Sequence, residues 1–142
     1  MSSHHIIRDE QEPALLLLKT YHRWDLINQL LEWSPTLIVD ESVMDEVLSR
    51  GVKIDYLVTA DPELAPKEQH PKIITKEENG ENFEAVLKLL ADKNHDAINV
   101  FSDFASDTEM LNSIQSFVFH TVNVFDGNWR HLLIHGNKFK IW

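Results

Sequence analysis

Apolar runs and polar breaks alternate most regularly between Thr36 and Glu63. Two short runs rich in β-branched residues, Thr36–Val39 and Asp55–Thr59, each end at or just before an acidic residue. Their length and composition are typical of buried strands. The segment between the two runs has apolar residues at helical spacing, so the pattern predicts a β-α-β unit.

The helix of this unit has a predicted start and a predicted end. Ser42 and Asp45 have the spacing of a capping box, and Gly51 follows the last turn, where a residue with positive φ is expected. Its apolar positions are Val43, Met44, Val47 and Leu48. A right-handed crossover makes the two strands parallel, so Asp40 and Asp61 should lie at the same carboxyl edge, where open α/β sheets bind ligands.

The same reasoning extends over the rest of the chain. The predicted elements are a polar arm at 1–12, strands at Ala14–Leu18, Lys72–Thr75 and Ala97–Phe101, helices at 22–33 and 82–93 and from Ser106 onward, and three strand-like runs after Thr121. The dipeptides Asp126-Gly127 and Gly136-Asn137 between those last runs favour hairpins. We therefore predict one domain, an α/β fold with a doubly wound, largely parallel sheet flanked by helices and ending in an antiparallel β-meander.

Composition narrows the class of protein. The 142 residues carry a formal net charge of −10, which opposes binding to a nucleic-acid backbone or an anionic membrane surface. The chain has no cysteine, so disulfides, thiolate catalysis and cysteine-based zinc sites are excluded. The longest apolar run, Ala14–Leu18, is far shorter than a membrane span. The expectation is a cytoplasmic protein that binds neither nucleic acid nor membrane.

Candidate chemistry lies at the carboxyl edge of the predicted sheet. Asp40, Asp61 and Asp107 are the candidate metal or phosphate residues, because clustered carboxylates can hold Mg²⁺. The candidate pocket residues around them are Ser42, Asn79, Asn82, Asp103 and Asn112. A second interpretation stays open: Asp40 and Asp107 stand at predicted helix starts, where a carboxylate stabilises the helix dipole without binding any ligand.

Familiar phosphate and catalytic motifs are missing from the sequence. Only Gly80 is free of a predicted turn or cap, and the acidic Glu78 and Glu81 beside it would repel a phosphate. Neither GxGxxG nor GxxxxGK[ST] occurs, and the eight histidines show no HExxH spacing. Residues alone therefore assign no reaction.

The order of these elements, and the residues at their ends, resemble the catalytic domain of thiamine pyrophosphokinase from about Glu12 to the C-terminus. Asp40-Glu41-Ser42 resembles an Asp-x-Gly element of that family, with the Asp present and the Gly absent. Asp55 matches the Asp of a Pro-Asp pair. Asp61 falls one place out of register with the metal-binding residues of a Gly-Asp-Phe-Asp motif.

Other family elements are altered further. Leu18-Lys19-Thr20 stands where the family has Ala-Asn-Gly, and Asn79-Gly80-Glu81-Asn82 stands where it has Asp-x-Thr-Asp. Phe104-Ala105-Ser106-Asp107-Thr108, with Asn112, resembles a Gly-Arg-x-Asp-His element and a downstream Asn, keeping Asp and Asn but not Gly, Arg or His. The resemblance thus implies the family fold with most of the phosphate and metal ligands replaced.

The family transfers a pyrophosphoryl group from ATP to thiamine with Mg²⁺, and its members are dimers that carry a further thiamine-binding β-sandwich. This chain stops at Trp142, where that second domain would begin. The resemblance implies a catalytically degenerate domain that acts by ligand binding or protein association. Two alternatives stay open: an active kinase using Asp40, Asp61 and Asp107 for Mg²⁺, and a nucleotide or small-molecule sensor.

A homodimer is expected as well, since the last run, Lys138–Trp142, should lie near a sheet edge. The apolar Phe139 and Ile141 would then pair with a second copy. The alternative is that they only cover the core, with Lys138 and Lys140 guarding the edge.

Overall fold

The computed structural model describes residues 13–75, 89, 97–102, 121–127, 129–134 and 137–141. Its strands are β1 (Ala14–Leu17), β2 (Leu37–Asp40), β3 (Tyr56–Thr59), β4 (Lys72–Thr75), β5 (Ala97–Phe101), β6 (Thr121–Asp126), β7 (Trp129–Ile134) and β8 (Asn137–Ile141). Its helices are α1 (Trp24–Leu31) and α2 (Met44–Ser49), with 3₁₀ turns at Glu41–Val43 and Pro62–Leu64.

All eight strands form one sheet in the order β4-β3-β2-β1-β5-β6-β7-β8. Neighbours from β4 through to β6 are parallel, whereas β7 pairs antiparallel with both β6 and β8. This arrangement is an α/β fold with a six-stranded parallel portion, as the alternation of predicted strands and helices indicated. β1 lies at the centre, and all four of its residues are buried.

Alternate side chains of the central strands divide between two buried clusters, one on each face of the sheet. Leu16 and Ile38 belong to one cluster, and Leu15 and Val39 belong to the other. Because β1 and β2 are covered on both faces, their sequences are continuous apolar runs rather than alternating ones. On the second face the rings of Phe101 and Phe125 stack with centroids 4.7 Å apart, joining β5 to β6.

Helices α1 and α2 lie on the same face of the sheet. Trp24 and Ile27 from α1, and Met44 and Val47 from α2, are all buried in the cluster that contains Leu15. The predicted apolar stripes of both helices are therefore confirmed. Leu89, the one described residue of the predicted helix 82–93, has helical conformation and packs against the opposite face.

Helix α1 is shorter than the predicted span of 22–33. Tyr21 and His22 have φ values of 52° and 55°, and Ser34 has 52°. These left-handed conformations are incompatible with an α-helix, so α1 begins only at Trp24. Trp33, beyond its end, is 61% exposed.

Gly51 occupies the position that the sequence assigned to it. It follows the C-cap residue Arg50, has a φ of 71°, and donates its N–H to the Leu48 carbonyl at 3.0 Å. The C′ prediction is confirmed. No helix in the described part of the chain is long and apolar enough to cross a bilayer.

Candidate functional site

The strand order places a reversal of direction between β1 and β5. From β1 the chain moves outward through β2, β3 and β4, whereas from β5 it moves the opposite way through β6. In open α/β sheets the loops diverge at such a point and leave a crevice at the carboxyl ends of the strands. Here the segments that flank this point are the turn after β1 and Ser102, which follows β5.

The turn after β1 is held by contacts with residues at the ends of β5 and β6. The Tyr21 hydroxyl donates to the Ser102 carbonyl at 3.1 Å and lies 3.3 Å from a second acceptor, the Asp126 carboxylate. Arg23 donates from Nη1 to the Gly127 carbonyl at 3.4 Å. The left-handed Tyr21 is thus held partly by contacts with residues 81 and 105 positions away along the chain.

Glu46 anchors the other side of the same turn. Its Oε2 accepts hydrogen bonds from Thr20 Oγ1 and from the Trp24 indole Nε1, each at 2.6 Å. The exposed imidazole of His22 places Nδ1 4.0 Å from the same oxygen. The hydrogen bond from Thr20 is the main cause that lowers the pKa of Glu46, and the bond from Trp24 acts in the same direction although burial opposes both. Glu46 is therefore an ionised carboxylate joining α2 to the β1 turn.

The Trp24 ring has a second polar neighbour. The Arg50 guanidinium carbon lies 4.9 Å from the ring centroid, so a cation stacks on the indole whose N–H reaches Glu46. Sequence reasoning assigned Trp24 only to the core and did not single out Glu46. The available signal was position: Thr20 to Arg23 is the polar segment that directly follows the first buried strand.

Asp40 ends β2 at this edge and is 7% exposed. Its Oδ2 accepts hydrogen bonds from the Ser42 backbone N–H at 3.0 Å and from the Ser42 hydroxyl at 2.6 Å. Asp40 therefore caps the 3₁₀ turn Glu41–Val43. The predicted capping box of Ser42 with Asp45 is wrong, because Val43 is the N-cap of α2 and makes no side-chain cap bond.

Asp61 lies just beyond β3 and makes the equivalent contact in its own turn. Its Oδ1 accepts a hydrogen bond from the Glu63 N–H at 3.0 Å and so caps Pro62–Leu64. The buried Thr59 hydroxyl accepts from the Asp61 N–H at 3.0 Å and donates to Glu41 Oε2 at 2.9 Å. Asp40 and Asp61 thus end neighbouring parallel strands at one edge, as predicted.

Asp40 and Asp61 do not by themselves form the predicted metal site. In the described ranges, no three His, Asp or Glu side chains are grouped so that they could hold a metal ion. Asp107, the third predicted ligand, lies outside the described residues. The same is true of four predicted pocket residues, Asn79, Asn82, Asp103 and Asn112.

Asp55, which matched a family position, lies at the opposite end of the sheet. Its Oδ2 accepts from the Leu37 N–H at 2.8 Å, and its own N–H donates to the Leu37 carbonyl at 3.1 Å. The Lys72 N–H then donates to the Asp55 carbonyl at 3.0 Å. Asp55 therefore satisfies backbone groups where β2, β3 and β4 begin, and it is distant in the topology from Asp40 and Asp61.

The carboxyl edge thus combines carboxylates, hydroxyls, a phenol and an exposed imidazole. Such an edge can donate and accept hydrogen bonds, and its negative charge favours a cation or a metal-complexed anion over a free phosphate. No protein-family model matches this chain, and no curated protein matches it significantly.

Proposed function

We propose that this chain is a thiamine pyrophosphokinase-like domain that binds a ligand at the carboxyl edge of its sheet without transferring pyrophosphate. The observation that carries the proposal is that the edge carboxylates are engaged within the chain. Asp40 is held by Ser42, Asp61 by Glu63, and Glu46 by Thr20 and Trp24. Pyrophosphoryl transfer relies on metal and cationic groups around the transferring oxygens, and these carboxylates are committed to caps and turns instead.

The turn after β1 supports the same conclusion. A phosphate-binding turn at this position presents backbone N–H groups, usually with glycine, to the ligand. Here the turn carries the Tyr21 ring, whose hydroxyl lies against Ser102 and the Asp126 carboxylate. A bare phosphate would meet a negative charge at this point, so a cationic ligand of the thiamine type, or a nucleotide carrying Mg²⁺, fits the charge better.

The finer features of the fold belong to the same proposal. A doubly wound sheet is supported by α1 and α2 packing on one face while Leu89 packs on the other. An antiparallel meander at the end is supported by the pairings of β6 with β7 and of β7 with β8. The proposal also includes a homodimer and a cytoplasmic location. The absence of cysteine is compatible with that location.

Calorimetric titration of the whole chain with thiamine, and separately with Mg·ATP, tests the function. We expect saturable heat with at least one of these ligands and no thiamine diphosphate in a ³¹P NMR assay with both present. Thiamine diphosphate formation would show an active kinase and overturn the proposal. If neither ligand gives heat, the hypothesis that the chain binds thiamine or Mg·ATP is wrong. Protein association would then be the remaining function.

Asp40→Asn is the matched variant for this experiment. The amide oxygen can still accept from Ser42, so a purely capping Asp40 predicts a change in unfolding free energy of only a few tenths of a kcal/mol. Binding of a Mg²⁺-free ligand should then be unaffected as well. If Asp40 holds Mg²⁺, the substitution should abolish Mg²⁺-dependent binding while the fold is retained.

A further inference from the structure

A cavity of about 550 Å³ lies at the amino edge of the sheet, opposite the proposed ligand site. Its lining includes the first residues of β2, β3 and β4, together with the connections that precede β2 and β3. The volume is within the range of about 300 to 1,000 Å³ that small-molecule sites occupy in proteins. The cavity is separate from the proposed ligand site because β2, β3 and β4 are parallel, so their two ends lie at opposite edges of the sheet.

Two lysines line this cavity, and both are exposed. Lys53 forms no ion pair with any residue that the structure describes. Lys72 likewise has no acidic partner there, and its ammonium lies 5.7 Å from the centroid of the Tyr56 ring. In a chain with 23 acidic and 13 basic residues, two cations that have no carboxylate partner among the described residues make this cavity locally positive.

Among the described residues of the lining, the acidic one is Asp55. Its Oδ2 is fixed by the Leu37 N–H at 2.8 Å, and within the described part of the chain Oδ1 accepts no hydrogen bond. The hydroxyls of Ser34 and Thr36 also line the cavity without a hydrogen bond to any described group. Among the described lining residues, two lysines and one carboxylate give a local formal charge of +1, beside the free Asp55 Oδ1 and the hydroxyls of Ser34 and Thr36.

We propose that this amino-edge cavity binds a small organic anion, with its oxyanion group at Lys53 and Lys72 and a hydroxyl or amine at Asp55. The chain's net charge of −10 does not prevent this, because charges farther than about 8–10 Å are largely screened at physiological ionic strength. A polyanion would extend beyond that distance and meet the acidic surface. A phosphate monoester and a carboxylate share the required chemistry, and the experiment separates them.

The test is a ¹H–¹⁵N NMR titration of the whole chain with glycerol 3-phosphate and, separately, with succinate; glycerol is the uncharged control. We expect saturable shifts of the Lys53, Asp55, Tyr56 and Lys72 amides with at least one anion and none with glycerol. A response to the phosphate alone assigns phosphate monoesters, and a response to succinate alone assigns carboxylates. Absence of saturable shifts at these amides with both anions would overturn the proposal.

Substitutions distinguish specific binding of the anion in this cavity from nonspecific attraction of the anion to any exposed lysine. The double variant K53Q/K72Q should weaken binding by about tenfold or more, since each charged hydrogen bond contributes substantially to affinity. Lys67→Gln is the matched control, because Lys67 is exposed but lies outside the cavity. An equal loss in both variants would contradict the proposal. The amides of Thr20 and Asp40 report the carboxyl edge separately, so failure at one site is distinguishable from failure at the other.

Discussion

At the scale of single residues, the most informative side chain is Glu46. Its carboxylate accepts two hydrogen bonds at one oxygen, and these come from the β1 turn and from α1. An isolated glutamate in the first turn of α2 would be expected only to stabilise the helix dipole. Here it also holds three elements together, a role that depends on contacts 22 and 26 positions away along the chain.

Glu46→Gln should lower the free energy of unfolding by about 1 kcal/mol at neutral pH, because the charge-assisted character of both hydrogen bonds is lost. The pKa of Glu46 is lowered on folding from its ordinary value of 4.5. The stabilisation is therefore fully present above pH 4.5 and is lost as the pH falls through the lower folded pKa. Urea unfolding of both proteins at several pH values measures this, and a difference that stays constant down to strongly acidic pH would contradict it.

Gly51 provides a second prediction at this scale. A Cβ at this position would meet no atom within 4 Å, so any penalty comes from its φ of 71° alone. Gly51→Val should cost roughly 1 kcal/mol or more, since a β-branched residue is strained in the left-handed region. Gly51→Asn, which tolerates that region, is the control and should cost clearly less. Equal urea midpoints for the wild type and the valine variant would show that this C′ position is not strained.

At the scale of elements, strands and helix faces were predictable and helix starts were not. The runs Lys72–Thr75 and Ala97–Phe101 are strands with the predicted bounds, because a short apolar run between polar breaks is a strong local signal. The start of α2 was wrong because Asp40 and Ser42 are equally good capping residues in sequence. The choice between them depends on Asp40 being buried at the end of β2, which is a tertiary property.

In the candidate site, too, features set by the local sequence were predictable and long-range contacts were not. Asp40 and Asp61 were placed at one edge by the logic of the β-α-β unit alone. The Tyr21 contacts with Ser102 and Asp126 join residues 81 and 105 positions apart. They depend on the reversal of strand order between β1 and β5, and no local pattern encodes them.

The connection before β3 supplies the prediction at this scale. Gln69 accepts the Ile54 N–H through Oε1 at 2.8 Å and donates from Nε2 to the Val52 carbonyl at 3.1 Å. The Gln69 side chain thus forms hydrogen bonds with two backbone groups that precede β3. Gln69→Ala should cost about 1–3 kcal/mol, because it leaves the N–H of the buried Ile54 without its partner.

Glu68→Ala is the control for this variant, because Glu68 is an exposed neighbour in the same loop. Its expected effect is within about 0.5 kcal/mol. Chemical denaturation of the two variants measures the difference. Equal stability of both would indicate that water replaces the Gln69 side chain without cost.

At the scale of the whole molecule, the eight-stranded sheet has two edges in the described part of the chain. β4 lies at one edge and β8 at the other. An edge strand presents backbone N–H and C=O groups that can pair with another chain, and natural proteins cover or charge such edges. The sequence of β8 alternates lysine with apolar residues.

We expect a homodimer in solution that uses β8 or the sheet edge beside it. Light scattering at micromolar concentration should give twice the chain mass of 16.5 kDa for the intact protein and the single chain mass for a variant ending at His135. Circular dichroism shows whether the shortened chain keeps its fold, so that loss of the dimer is not mistaken for unfolding. Trp33→Ala removes the most exposed described tryptophan and should leave the dimer intact. A monomeric intact protein, or a dimer that survives the truncation, would exclude β8 from the interface.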